Sequence, residues 1–244
     1  MDEPTVTLLM TRPRPEAERF LRQLPHDVLR RVTPVVAPLL DIETCDAAVA
    51  LDGFTGVIFS SGNAVRAVSC DTQQVPAHCV GAATARLARQ RGWHTGEIGI
   101  DADALVSALI RAKATGPLLH LCGSHTRGGI AERLSAAGCA TKRQKVYAQK
   151  LRHFDEKTRA ILRDGACVIA PIFSPRTARQ FVDQCPKTRD LHLVAMSAAV
   201  AEPLSDMAHS TLTVASQPNN ASMALVVEKL VHRHCRVESG GGAQ

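Results

Sequence analysis

Short apolar, β-branched runs alternate along this chain with stretches whose apolar residues recur at every third and fourth position. The runs at 6–10, 32–36, 57–60, 78–80, 95–98, 118–122, 142–147, 167–170, 192–195 and 211–214 predict strands. Between them, Ala17, Phe20, Leu21 and Leu24 form one helical stripe. Ala178, Phe181, Val182 and Cys185 form another, and Met223, Val226, Val227 and Leu230 a third. Strand–helix alternation of this kind predicts an α/β protein with parallel strands. Ten strands would make one large sheet, so two five-stranded sheets are the better expectation.

An internal repeat supports that division. Segment 56–68 follows the plan of 166–182: apolar strand, Ser-containing turn, helix. Segment 78–98 pairs in the same way with 192–212, and 7–24 with 118–138. Residues 5–110 and 117–235 therefore read as two copies of one unit, although generic α/β patterning accounts for part of the similarity.

The 244 residues carry a net charge of +6, which favours anionic partners. One Trp, one Tyr and six Phe offer few platforms for stacking bases, and the basic residues are scattered, so nucleic acid is not expected as a partner. No apolar run approaches the ~20 residues that cross a bilayer. The opening Met1-Asp2-Glu3-Pro4 lacks a basic-then-apolar signal, so a cytoplasmic location is expected. The eight cysteines include no Cys-x-x-Cys pair and read as reduced core residues. His232 and His234 precede Cys235 but run into a Gly-rich end, so no metal is expected.

Five turns combine small hydroxyl residues or Arg with the start of a predicted helix: Thr11-Arg12-Pro13-Arg14, Ser60-Ser61-Gly62-Asn63, Gly81-Ala82-Ala83-Thr84, Gly123-Ser124-His125-Thr126-Arg127 and Ser174-Pro175-Arg176-Thr177. In open parallel sheets such turns lie beyond the strands' carboxyl ends, where free N–H groups hold carboxylates or phosphates. Each also has a plain structural explanation: Ser60, Ser61, Asn63 and Ser174 can simply cap helices, and Arg12 and Arg127 can be solvated charges. Phosphate-loop, dinucleotide, hydrolase-elbow and His-Glu-x-x-His motifs are absent from the sequence. The residues alone describe a two-lobed α/β binder of a small polyanion.

The segments LLMTRP (8–13), GVIFSSGNAV (56–65), VGAATARLARQRGW (80–93), LLHLCGSHTRGGIAERLSAAGC (118–139) with KVY (145–147), and FSPRTARQFV (173–182) occur in an order and spacing that resembles the uroporphyrinogen-III synthase family. The resemblance implies two similar lobes, each a parallel five-stranded sheet flanked by helices. One would hold 1–35 and 150–244, the other 36–149, with a two-stranded connector near 32–38 and 145–151 and a cleft between them. It implies cyclisation of hydroxymethylbilane, a linear tetrapyrrole supplied by a preceding deaminase, to uroporphyrinogen III. Water leaves ring A, ring D attacks through its substituted carbon, and a spiro intermediate recloses with ring D inverted. No cofactor, metal, membrane or nucleic acid is implied, and the family suggests a monomer.

The same resemblance points to Tyr147, the only tyrosine, as the catalytic residue, its phenol helping the hydroxyl depart. Its plainer reading is an aromatic packed at a strand end. Arg12, Ser60, Ser61, Asn63, Thr84, Gly123, Arg127, Ser174 and Ser197 match substrate-binding positions. Two departures stand out: Ala198 replaces a threonine, and Cys122 occupies a position where arginine is frequent, a charge that Arg127 would have to supply. A catalytically silent binding or regulatory module of the same fold is the competing expectation, and a generic anion or sugar receptor a more distant one.

Overall fold

The computed structural model describes residues 6–45, 48–69, 75–126, 128–164, 167–188 and 190–239, with side chains as far as 234. The chain packs as two units, one holding the segment up to Asp41 and again from Leu151, the other holding Ile42–Lys150.

In the first unit, strands β1 (Val6–Met10), β2 (Val32–Val36), β9 (Cys167–Ile172), β10 (Leu191–Ala195) and β11 (Thr211–Val214) form a parallel sheet in the order β11-β10-β9-β1-β2. Alternation along each strand assigns its side chains to two cores. Leu8, Met10, Ile169 and Val194 join Ala17 and Phe20 of α1 (Arg14–Leu21) and Met223 and Val227 of α10 (Asn220–Ser239). Leu9, Ala170, Ile172 and Leu193 pack on the other face with Leu162 of α7 (Glu156–Arg163) and Phe181 of α8 (Pro175–Gln184). A sheet covered on both faces explains why β1, β9 and β10 read as nearly continuous apolar runs.

In the second unit, β3 (Leu40–Thr44), β4 (Gly56–Phe59), β5 (Ala77–Val80), β6 (Thr95–Gly99), β7 (Leu118–Gly123) and β8 (Thr141–Leu151) follow the order β3-β8-β7-β4-β5-β6. The β8-β7-β4-β5-β6 core is parallel. Phe59, Leu121 and Val146 face Ala64 and Val65 of α3 (Gly62–Ala67) and Ala85 and Ala88 of α4 (Ala82–Gln90). Ile58 and Leu118 face Leu105 and Leu109 of α5 (Ala102–Arg111) and Leu134 of α6 (Ile130–Ala136).

The second sheet thus has six strands where five were expected. The addition, β3, reads Leu-Asp-Ile-Glu-Thr, and its carboxylates meet basic residues at the end of β8 and just past it: Glu43 pairs with Lys150 at 2.7 Å and Asp41 with Arg152 at 2.9 Å. Two acids in five residues hid the strand from a hydrophobicity reading. The stretch 32–36 pairs with β1 along its length, and the chain changes units within β3 and again at the end of β8.

The repeat and the units cut the chain differently. Sheet order β11-β10-β9-β1-β2 corresponds strand for strand to β6-β5-β4-β7-β8. Each repeat copy lends its first two strands, β1-β2 or β7-β8, to the other copy's remaining three. Hydrogen bonds from β1 therefore run to β9, Val6 opposite Cys167 and Leu8 opposite Ile169.

Phe181 is fully buried and meets Phe154 edge-to-face at 5.9 Å. Phe181→Ala is expected to lower stability by about 3–5 kcal/mol, read as a fall in the urea midpoint at unchanged m-value.

Candidate functional site

The turn after β4 begins Ser60-Ser61, both half-buried. Ser61 caps α3, its Oγ accepting the Ala64 amide at 3.4 Å. The same Oγ lies 3.0 Å from the phenol oxygen of Tyr147, which arrives on β8 two strands away. Between those strands, β7 ends at Gly123, directly opposite Tyr147 where the β7–β8 register shifts. A Cβ on Gly123 would stand 2.5 Å from Tyr147 Cζ and 2.8 Å from its hydroxyl. Glycine at this position is thus the room that the ring occupies. The Ser124 amide donates to the Tyr147 carbonyl at 3.0 Å and holds the strand against the turn.

Burial raises the Tyr147 pKa, with the Ser61 hydrogen bond working in the other direction. The phenol is therefore neutral at pH 7 and retains its proton. One residue absent from the sequence-based candidates belongs to the same group. His120, on β7, is 1% exposed, and its Nε2 lies 3.0 Å from Ser60 Oγ. Burial, with Arg143 nearby, pushes its pKa down to about 4, so the imidazole is neutral as well. Its Nδ1 is buried with no partner among the described residues. The signal was present as one polar residue inside Leu118-Leu119-His120-Leu121-Cys122.

Arg143 of β8 donates to Thr126 Oγ1 at 2.9 Å and to Glu132 Oε1 at 3.1 Å. Hydrogen bonding to Cys122 and then to Glu132 raises its pKa further. A guanidinium thus sits beside Cys122, contributed by the neighbouring strand. Arg127 lies outside the described residues, as does the 240–244 tail. Asn63 Oδ1 accepts from Arg66 at 3.0 Å, and Thr84 is buried in the first turn of α4, after β5. The second unit therefore gathers Ser60, Ser61, Gly123 and Tyr147 closely, with Asn63 on the adjoining helix and Thr84 at the next strand end.

The first unit places Arg12, Ser174 and Ser197 after β1, β9 and β10, at the corresponding strand ends. The Arg12 guanidinium stacks 4.0 Å over the Phe173 ring and donates to Asn220 Oδ1 at 3.3 Å. Phe173 in turn rests edge-on against buried Phe20, 5.1 Å away. Burial lowers the Arg12 pKa to about 10, which leaves the group charged at neutral pH. Ser174 is occupied in capping α8: its Oγ accepts the Thr177 amide at 3.1 Å and meets the Thr177 hydroxyl at 2.8 Å. Ser197 precedes the short helix α9 (Ala198–Ala201) without a capping side-chain bond. Thr11, next to Arg12, keeps a buried hydroxyl without a partner among the described residues.

The second unit thus presents neutral hydroxyls, one neutral imidazole and the Arg143 cation, and the first unit by itself presents hydroxyls and the Arg12 cation. Such groups can hold carboxylates and move a proton.

The family model described as uroporphyrinogen-III synthase HemD matches residues 30–224. Among solved structures, uroporphyrinogen-III synthetase from Helicobacter pylori superposes with a TM-score of 0.67 at 14% identity, covering 94% of this chain and 100% of that one. A mutant uroporphyrinogen III synthase from Thermus thermophilus gives 0.55 at 12% identity, over 93% and 99%. These likenesses are of fold. No curated protein sequence matches the chain.

Two outcomes are expected from this geometry. Gly123→Ala forces the Tyr147 ring out of place and costs about 1–3 kcal/mol, measured by thermal or urea unfolding. For His120, the folded pKa lies below the unfolded value of 6.5, so the unfolded chain binds the proton first as pH falls. Its stabilising effect is full above pH 6.5 and declines toward pH 4. Wild type should lose about 3 kcal/mol more than His120→Asn across that window in unfolding titrations.

Proposed function

The chain belongs to the uroporphyrinogen-III synthase family, and we propose that its own Tyr147 and Ser61 supply the proton in that family's cyclisation of hydroxymethylbilane. The observation carrying this reading is the 3.0 Å contact between the neutral phenol and the Ser61 hydroxyl on a ring seated against Gly123. Departure of the ring-A hydroxyl as water requires a proton at that oxygen. A phenol kept neutral by burial holds one, and Ser61, half-exposed, is the more accessible end of the pair.

Loss of water leaves an azafulvene cation. Ring D attacks through its substituted carbon, the spiro intermediate fragments, and reclosure inverts the ring. The sequence is redox-neutral: one water is released, no external electron acceptor is consumed, and the protonated oxygen leaves while carbon–carbon bonds exchange. The reaction is accordingly a cyclising dehydration of the lyase type, and it needs no cofactor. Without an enzyme the same linear tetrapyrrole closes to the symmetrical type I isomer, so positioning decides the product.

Positioning falls to the charged and hydroxyl groups at the strand ends. Arg12, stiffened by Phe173 and Asn220, binds a substrate carboxylate, and the net charge of +6 suits a substrate carrying eight carboxylates. Ser60, Asn63, Thr84 and Ser197 are further contacts. Ser174 acts mainly as a cap and contributes the turn that aims its neighbours. Gly123 serves by admitting Tyr147. Arg127 remains a proposed carboxylate contact on sequence grounds alone. We further propose a monomeric, cytoplasmic enzyme supplied by the preceding deaminase; among the described residues no helix is long and apolar enough to cross a membrane.

The test is an isomer assay with hydroxymethylbilane generated in situ and the products oxidised and separated by chromatography. Predominantly type III is the expected result. Type I alone would leave a silent module of the same fold. Tyr147→Phe should slow turnover about 10²-fold and raise the type I share, because spontaneous closure then competes. Ser61→Ala should slow it less, and a wild-type rate in Tyr147→Phe would remove the phenol from the mechanism.

A further inference from the structure

At the amino ends of the first unit's strands, opposite Ser174 and Ser197, four metal-capable side chains converge. Cys167 opens β9, Asp190 and His192 bracket the start of β10, and His234 comes from the far part of α10. One donor atom from each lies within 4.8 Å of all the others. We infer that Cys167, Asp190, His192 and His234 form a structural zinc(II) site that ties α10 to the amino ends of β9 and β10.

The donor set is one thiol, one carboxylate and two imidazoles, four ligands that match zinc's closed tetrahedral sites. Zinc bond lengths of about 2.0 Å to nitrogen and 2.3 Å to sulfur set ligand–ligand edges of about 3.3–3.8 Å, so the set need contract by only about 1 Å. Small rotations of side chains accomplish that.

The surroundings are arranged as they are around metal ligands. His192 is 6% exposed in its side chain, and its Nδ1 lies 2.8 Å from Thr211 Oγ1, on the strand paired with its own. Its Nε2 lies 2.8 Å from Asp190 Oδ1. The contact of His192 Nε2 with Asp190 falls short of hydrogen-bond geometry, and His234 Nε2 is buried without a hydrogen-bond partner among the described residues. Asp190 Oδ1 also accepts from Ser210 at 2.8 Å, and the two imidazole rings lie 4.2 Å apart, tilted by 56°. Thr211 and Ser210 are the outer partners that orient ligands in built metal sites.

The His232-His234-Cys235 run in the sequence gave no reason to expect this. In the fold, His232 turns instead to Asp27, at 3.0 Å. His234 finds partners 42 to 67 residues earlier in the chain.

The experiment uses the full chain, stripped of metal by a chelator and titrated with zinc chloride, with cobalt(II) chloride as a spectroscopic probe. One zinc per chain should bind. Cobalt should show tetrahedral d–d bands with a thiolate-to-cobalt charge-transfer band, and zinc should raise the melting temperature. His234→Ala should lower zinc affinity by more than about 100-fold, beyond what losing an outer partner costs, and abolish the thermal shift. Cys167→Ser, a conservative change that keeps the fold, should remove the charge-transfer band. Failure of the wild-type chain to bind zinc, or binding and spectra unchanged in both variants, would overturn the site. Neither result bears on the isomer assay, so the two readings fail separately.

Discussion

The pairing of β1 with β9 is the constraint on which the first unit rests. Five residues near the start of the chain, buried on both faces, form the fourth strand of a sheet whose next three strands lie more than 150 residues away. Until that pairing forms, β9, β10 and β11 have an open edge, and the core that α1 and α10 share lacks Val6, Leu8 and Met10. The second unit needs β7 in the same place, beside β4, and β7 comes from the other repeat copy. Both sheets are thus completed by exchange between copies. Long loops must close before either core is whole, the topology associated with slow folding.

That exchange also positions the chemistry. Tyr147 and Gly123 belong to the second copy, while Ser60 and Ser61 belong to the first. They meet because β7 and β8 are lent to the sheet that contains β4. Very little charge is used in the result. A neutral phenol on β8, a neutral imidazole on β7 and capping hydroxyls beyond the strands stand where buried ions would require compensation. Fixed positive charge is left to Arg12, stacked on Phe173, and to Arg143 beside Cys122.

The two ends of the first sheet have different characters. Its carboxyl end carries Arg12, Ser174 and Ser197, half-open groups suited to transient contacts. Its amino end carries Cys167, Asp190, His192 and His234, drawn together with outer hydrogen bonds from Ser210 and Thr211. Parallel strands make the separation natural, because loops at the carboxyl ends face ligand while those at the amino ends serve stability.

Periodicity alone determined most of the architecture: apolar strands buried on both faces, helices with one apolar stripe, and capping residues such as Ser61 and Ser174 where helices begin. Those are local properties, set by residues within a few positions of one another. β3 escaped because its acids are matched only by Lys150 and Arg152, more than a hundred residues away. His120 was visible as a polar interruption but had no meaning until Ser60 stood beside it. The order of motifs disclosed the family and pointed to Tyr147, Ser61 and Arg12 as candidates, whereas the close fit of Tyr147 against Gly123, the guanidinium beside Cys122 and the partners of His234 came only with the tertiary structure. Each of these depends on a distance between strands or helices remote in sequence, and periodicity, which acts over a few residues, carries no record of such distances.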